Sequence, residues 1–499
     1  MEAPREHAAQ LPVSLPPRPA LLAGRQELLA GLDDWLTAGP ATGPRVVALY
    51  GLGGAGKTSV AVEYAHRHLA EVGLAWQFAA EDATVLAAGF AELAAQLGVR
   101  DLADVRNPVA SVHAVLAKFP VSWLVIFDNA PDRAAVEAFL PPAGRGRVLI
   151  TSQSAVWPPG QAVQVPVLST EVAAGFLVNR TGDPDERAAK ELAEGLGGLP
   201  LALEQAGAYI QATGTTLAGY ASLFRDRRAD LLARGEAAGH PAGVAATLGL
   251  ALSRLAEEAP TAPGLARLLA CLAPEPVPLA LLLAGAQAAG ELAPEVTATA
   301  GPLLGDPVAA GDAVAALRRY SLVTPAGGGA VLVHRLVQAI TLSQLPAEVA
   351  GQWQQAAAVL VKAAVPADPD LPTTWPVCAV LLPHARAVLG LTSGGLGRIA
   401  AYLGNSGSYP AARDLFQLIA VAHEEDDAYG PEHPDTLAAR HNLAGWTGAA
   451  GDAAGARGQL AALLPIAERV LGAEHPDTLV TRAISVSYTH LTLPTTPYV

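Results

Sequence analysis

The stretch GLGGAGKT at residues 51–58 constrains this chain more than any other part of it. It spaces its residues as G-x-x-x-x-G-K-[ST], the pattern of a loop that wraps backbone N–H groups around phosphate oxygens. The flanks match what such a loop requires. RVVALY (45–50) reads as a short buried parallel strand, and TSVAVEYAHRHLAE (58–71) carries apolar residues at helical spacing. In that setting Gly51, Gly53, Gly54, Ala55 and Gly56 offer main-chain donors, and Lys57, Thr58 and Ser59 open the helix whose positive end faces the phosphates. Lys57 is expected to neutralise the β- and γ-phosphates, and Thr58 to ligate Mg²⁺ through its hydroxyl.

A metal-binding acid should end a later buried strand. SWLVIFDNA (122–130) supplies Asp128 after five apolar residues, making Thr58 and Asp128 the expected Mg²⁺ pair. RVLITSQ (147–153) is a third strand and ends in Gln153, where a phosphate sensor would sit. Strands alternating with helical segments imply a doubly wound α/β sheet with its ligand at the strand C-terminal ends. Asn129 follows the metal-binding Asp. Asn orients a water but does not accept its proton at neutral pH, so at most a slow ATPase is expected from the Asp128–Asn129 pair; the alternative is that Asn129 only shapes a turn.

Bulk properties exclude other classes. Net charge is −14, which argues against a broad nucleic-acid surface. Mean hydropathy is +0.30, but the longest clean apolar run, VPLALLLAGAQAAG (277–290), is too short to span a bilayer, so no membrane partner is expected. The N-terminal residues have no apolar signal core. Cys271 and Cys378, the only cysteines, show no metal spacing and suit a reducing, cytoplasmic setting. Alanine, glycine and arginine usage fits a GC-rich bacterial genome.

Further motifs follow in order: LLAGRQELLAGL (21–32) before the loop, GGLPLALEQAGAYI (197–210) after the sheet, and LVTPAGGGAVLVHRLVQ (322–338) beyond it. With the phosphate loop they resemble the NB-ARC group of signal-transducing ATPases with numerous domains (STAND), which includes plant resistance proteins and many bacterial regulators. The resemblance covers about residues 20 to 345. It implies ATP/ADP and Mg²⁺ as ligands, Gly24 and Arg25 near the adenine, Pro200 against the adenine ring, and His334 on the β-phosphate of ADP as a lock. Two departures stand out. Arg335 follows His334 where plant relatives have Asp, and Gln153 replaces an Arg that contacts the γ-phosphate, so ATP sensing is expected to be either weaker or supplied by Arg145 or Arg147.

GPEHPDTLAARHNLA from Gly430 recurs as GAEHPDTLVTRAISV from Gly472, a spacing of 472 − 430 = 42 residues. That period is similar to kinesin-light-chain-like tetratricopeptide repeats, whose helix pairs stack into a surface for proteins or peptides. The final VSYTHLTLPTTPYV (486–499) has no Ala, Gly or charge and resembles a translated sequencing adapter, so residues from 485 are expected to be non-native.

The expected organisation is a flexible N-terminus (1–19), a P-loop domain (20–165), a helical subdomain (166–238), a winged-helix-like domain (239–345), a helical linker (346–395), truncated repeats (396–484) and the foreign tail (485–499). The expected function is an ADP/ATP switch that senses a partner through its repeats and oligomerises in the ATP state. Alternatives are a repeat scaffold with a static ADP site, and part of a transcriptional regulator, although DNA contact by this stretch is not expected.

Overall fold

The computed structural model describes residues 12–19, 22–37, 43–99, 107–233, 242–284 and 290–492. Its first unit is a six-stranded sheet: β1 (Val13–Ser14), β2 (Arg45–Tyr50), β3 (Ala75–Ala79), β4 (Trp123–Ala130), β5 (Gly146–Ser152) and β6 (Ala162–Gln164), in spatial order β1-β3-β4-β5-β2-β6. Every pairing is parallel, and β2 lies against β5 with Val47 opposite Leu149. Parallel strands need covering on both faces, and the alternation of apolar residues divides accordingly. Leu124 and Ile126 face one core with α1 (Gln26–Thr37) and α2 (Lys57–Arg67). Trp123, Val125 and Phe127 face the other, with α3 (Ala83–Gln96) and α4 (Pro108–Ala117).

Residues 12–19 depart from the flexible N-terminus expected there. β1 pairs with β3 at the sheet edge, and the Arg18 guanidinium donates twice to the Glu63 carboxylate, at 2.8 and 2.7 Å.

A short helix α5 (Arg133–Glu137) connects β4 to β5, and beyond the sheet comes a helical body of α6 (Thr170–Thr181), α7 (Glu186–Gly195), α8 (Pro200–Thr213) and α9 (Leu217–Ala233). Asp185 caps α7, and Pro200 occupies the first turn of α8, where its missing N–H costs nothing. α10 (Ala242–Glu258), α11 (Ala262–Ala270), α12 (Leu279–Leu283), α13 (Pro294–Ala300) and α14 (Pro307–Arg319) lead to a hairpin of β7 (Thr324–Pro325) and β8 (Val331–Leu332). Gly327, Gly328 and Gly329 turn it with left-handed φ values of 85°, 57° and 78°. Val277 bridges Val331 antiparallel, which adds a third extended segment to this wing before α15 (Arg335–Ser343).

α16 (Ala347–Ala364) and α17 (Trp375–Val388) connect to the stacked pairs α18 (Gly394–Asn405) with α19 (Tyr409–Glu425), and α20 (Pro434–Ala449) with α21 (Ala453–Val470), followed by α22 (Pro476–Thr492). One continuous apolar core runs from Leu168 to Leu443. The two sequence copies are not equally enclosed. Leu437 of α20 is 2% exposed, whereas its equivalent Leu479 of α22 is 41% exposed. The segment expected to be foreign is helical through Thr492, and the Tyr488 hydroxyl donates to the Gly445 carbonyl at 3.2 Å; residues 493–499 lie outside the described residues. None of the described helices is long and apolar enough to cross a membrane.

Candidate nucleotide site

The phosphate loop joins β2 to α2 at the C-terminal rim of the sheet. Gly51 has φ 149°, and a Cβ there would lie 2.6 Å from the Val165 carbonyl oxygen, so only glycine fits. Gly56, at φ 90°, precedes α2 without any side-chain cap. The first N–H groups of α2 are therefore left for an anion. The Lys57 ammonium folds onto the loop, donating to the Gly51 and Leu52 carbonyls at 3.0 and 2.8 Å. Burial, with the Arg335 cation beside it, pushes Lys57 down to about 8, against the opposing pull of Asp128.

Asp128 is buried at the end of β4. Its Oδ1 accepts from Thr58 at 2.8 Å and from Thr151 at 2.5 Å, and its Oδ2 accepts from Gln77 at 3.3 Å. Burial raises its pKa, and the hydroxyl hydrogen bonds oppose the rise. A hydroxyl and a carboxylate at this spacing are hard oxygen donors that suit Mg²⁺. Among the described residues no three His, Cys, Asp or Glu side chains converge to hold a metal. The protein thus offers two ligands, and phosphate oxygens would complete the shell.

Asn129 has a conformational reason for its place. Its φ is 60°, at the point where the β4–β5 register shifts, and its N–H donates to Thr151 Oγ1 at 2.8 Å. Asn tolerates this left-handed backbone better than other non-glycine residues. The kink is a bulge immediately after Asp128, and pairing with β5 resumes at Ala130 opposite Ser152.

Gln153 lies beside the loop: the space where a Gly53 Cβ would sit is 3.7 Å from Gln153 Nε2. Arg145 and Arg147 do not join it, contrary to the expectation that either stands in for the missing sensor. Both lie at the N-terminal end of β5, the opposite rim. Arg145 donates to the Pro120 carbonyl at 2.7 Å, and Arg147 to Glu71 at 3.0 Å. A parallel strand carries its two ends to opposite rims, so proximity in sequence misleads here.

Arg25 is almost fully buried and spends its guanidinium on two main-chain carbonyls, Ala55 at 2.9 Å and Pro166 at 2.7 Å. It braces the loop from beneath. Gly24, at φ 63°, lets Val172 pack closely; a Cβ would meet it at 2.7 Å. The start of α8 also reaches the loop. The Leu201 N–H donates to the Gly54 carbonyl at 3.4 Å, and a Cβ on Gly54 would crowd Leu199 and Leu201. Pro200 stands between them.

The far wall comes from the winged helix. His334 caps α15, its Nδ1 accepting from the Leu336 N–H at 3.1 Å. In the neutral ring that bond places the proton on Nε2, leaving a donor available. The His334 side chain is exposed at this rim. Partial desolvation, with the Lys57 and Arg335 cations, holds the imidazole below its ordinary value, which favours the neutral ring at pH 7. Arg335 reaches across to Glu81 at 3.2 Å. Glu81 follows Ala80, whose N–H donates to the Asp128 carbonyl at 2.8 Å. The wing and strand β4 therefore meet at one rim.

Sequence reasoning missed three contributors. Glu275 lies two residues before the Val277–Val331 bridge; burial, then the Asp128 and Glu81 charges, push it up to about 8. Asp82 caps α3 with Oδ1 and accepts from Arg386 of α17 with Oδ2, at 3.0 Å. His384 of the same helix lies 3.1 Å, through Nε2, from the Pro276 carbonyl. No local pattern marks these residues, because each becomes a neighbour only through contacts across many residues of chain.

Comparison with known proteins supports the fold. A tetratricopeptide-repeat family matches residues 436–477. The crystal structure of a Signal Transduction ATPase with Numerous Domains protein with a tetratricopeptide repeat sensor, from Pyrococcus horikoshii, superposes with a TM-score of 0.51 over 97% of this chain and 70% of that one, at 15% identity. The chain shares that structure's fold, a parallel α/β P-loop unit followed by tetratricopeptide repeats. Regulatory protein AfsR of Streptomyces griseus is 30% identical over 247 residues, 46% of this chain and 24% of that protein. A nucleotide-binding leucine-rich repeat (NLR)-like protein of Hyaloscypha variabilis is 27% identical over 207 residues, 36% of this chain and 21% of that protein. The chain therefore spans about a quarter or less of the length of these two relatives.

Proposed function

We propose that the chain is a nucleotide-dependent signalling switch that holds ADP in a closed cleft. The observation that carries this reading is the meeting of wing and sheet: Arg335, next to His334, reaches Glu81 at 3.2 Å, and the neighbouring Ala80 N–H donates to the Asp128 carbonyl at 2.8 Å. A nucleotide in the cleft would touch the phosphate loop on one side and the wing on the other. Lys57 and the α2 N-terminus would bind the phosphates, Thr58 and Asp128 would hold Mg²⁺, and His334 Nε2–H would donate to the β-phosphate. Mg²⁺ would offset phosphate charge; the chain's own residues orient the nucleotide and exclude water.

Asn129 follows Asp128 where a proton acceptor would speed hydrolysis, which supports slow turnover. The repeats fit a protein or peptide ligand that opens the cleft, followed by exchange for ATP and self-association. The name of the AfsR relative, a regulatory protein, is consistent with a regulatory role.

The test is the nucleotide that copurifies with wild type and with His334→Ala, identified after heat release. ADP in the wild type, lost or replaced by ATP in the variant, is the expected result. No nucleotide in either would put a repeat scaffold ahead of the switch.

A further inference from the structure

Strand β5 runs into a neutral residue, Gln153, beside the phosphate loop, so its C-terminal end brings no cation to the loop. The arginines nearest in sequence are committed elsewhere: Arg145 and Arg147 to the opposite rim, and Arg25 to carbonyls beneath the loop. We infer that Arg335, carried into the cleft by the winged helix, is the second phosphate-contacting cation, acting on the terminal phosphate of a nucleoside di- or triphosphate.

The inference rests on the nucleotide-switch reading and on three observations. Arg335 is the residue after His334, at the first position of α15, so the helix that presents the imidazole also presents the guanidinium. Its bond to Glu81 fixes it at the Asp128 rim, because the neighbouring Ala80 is hydrogen-bonded to the Asp128 main chain. Its charge bears on both Lys57 and His334. Lys57 itself donates to carbonyls of the loop. Two cations brought together in a partly buried cleft repel one another, and a polyphosphate relieves that repulsion. Guanidinium suits the task because its five donors allow one edge to stay on Glu81 while another meets phosphate. Engaging the phosphate from the wing would also make closure of the winged helix respond to the nucleotide's terminal phosphate.

The experiment is calorimetric titration of the nucleotide-stripped full chain with ADP, ATP and AMP, for wild type, Arg335→Gln, Arg335→Lys and Glu81→Gln. Arg335→Gln should weaken ADP and ATP about tenfold or more, since charge-assisted bonds to phosphate are the strong ones, while AMP is unchanged. Arg335→Lys should recover part of the loss. Glu81→Gln, which frees the cation, should bind ADP as well as wild type or better. Wild-type affinity for ADP in Arg335→Gln overturns the inference. So does equal weakening by Arg335→Gln and Glu81→Gln for all three nucleotides, which would make the pair a domain latch. A wild type that binds none of the nucleotides removes the switch reading itself, and this inference with it.

Discussion

The two walls of the cleft are built in opposite ways. The near wall, residues 51–58, is a run of consecutive residues between a strand and a helix, and its donors are main-chain N–H groups fixed by glycine conformations. The far wall is assembled from Glu275, His334 and Arg335, brought to the sheet only when the wing packs onto it and Arg335 pairs with Glu81. The near wall depends on backbone geometry. The far wall depends on charge balance and on how firmly the helices behind it hold the wing. Damage to the first should cost stability and binding together; damage to the second should alter binding with little loss of fold.

The largest effect should come from Gly51→Ala. The added methyl would sit 2.6 Å from a carbonyl oxygen at a φ unfavourable to alanine. A loss of about 3 kcal/mol in denaturant unfolding is expected, along with loss of retained nucleotide. Unchanged stability would mean that the near wall is less rigid than its geometry implies.

Next is the pH response of the helix behind the far wall. His384 is buried, with Nδ1 unpaired, and is lowered to about 4 mainly by burial. The unfolded chain binds a proton there near pH 6.5 and the folded chain does not. Stability from this group is therefore present above about pH 6.5 and is lost as pH falls toward 4, by up to about 3 kcal/mol. Glu275, raised to about 8, has the opposite sign: its folded form binds a proton that the unfolded form releases between about pH 4.5 and 8. The comparison that isolates His384 is wild type against His384→Gln, which keeps a donor for the Pro276 carbonyl and does not titrate. The variant should show the shallower loss between pH 6.5 and 4; parallel curves would remove His384 from the account.

The smallest effect on stability, and the sharpest contrast between the walls, should come from Arg386→Ala. Its pair with Asp82 is partly exposed, so the change in unfolding free energy should stay under about 1 kcal/mol. Release of a fluorescent ADP should nevertheless become several-fold faster, because α17 connects the wing to the repeats and grips the sheet at Asp82. An unchanged release rate would separate the repeats from the nucleotide.

Legibility in the sequence follows the same division. The loop, its strand and helix, Asp128 and the wing's glycine turn are visible as patterns because each is set by neighbours within about ten residues. The 42-residue repeat is visible for a similar reason, since each copy recreates its own helix pair. Arg145 and Arg147 misled because they are close to Gln153 in sequence but lie at the other end of the strand. Glu275, in the Pro-rich run APEPVP, gave no sign of facing Asp128.

The sequence by itself determined that a phosphate loop exists, which residues line it, and that helical repeats follow, because local backbone preferences and apolar periodicity act over short distances. Only the tertiary structure decided that Arg335 meets Glu81 near Asp128 while Arg145 and Arg147 lie at the opposite rim, and that Asp82 and Pro276 are contacted by α17. Those contacts depend on how the wing and linker pack onto the sheet, and burial and electrostatics act through space regardless of position along the chain.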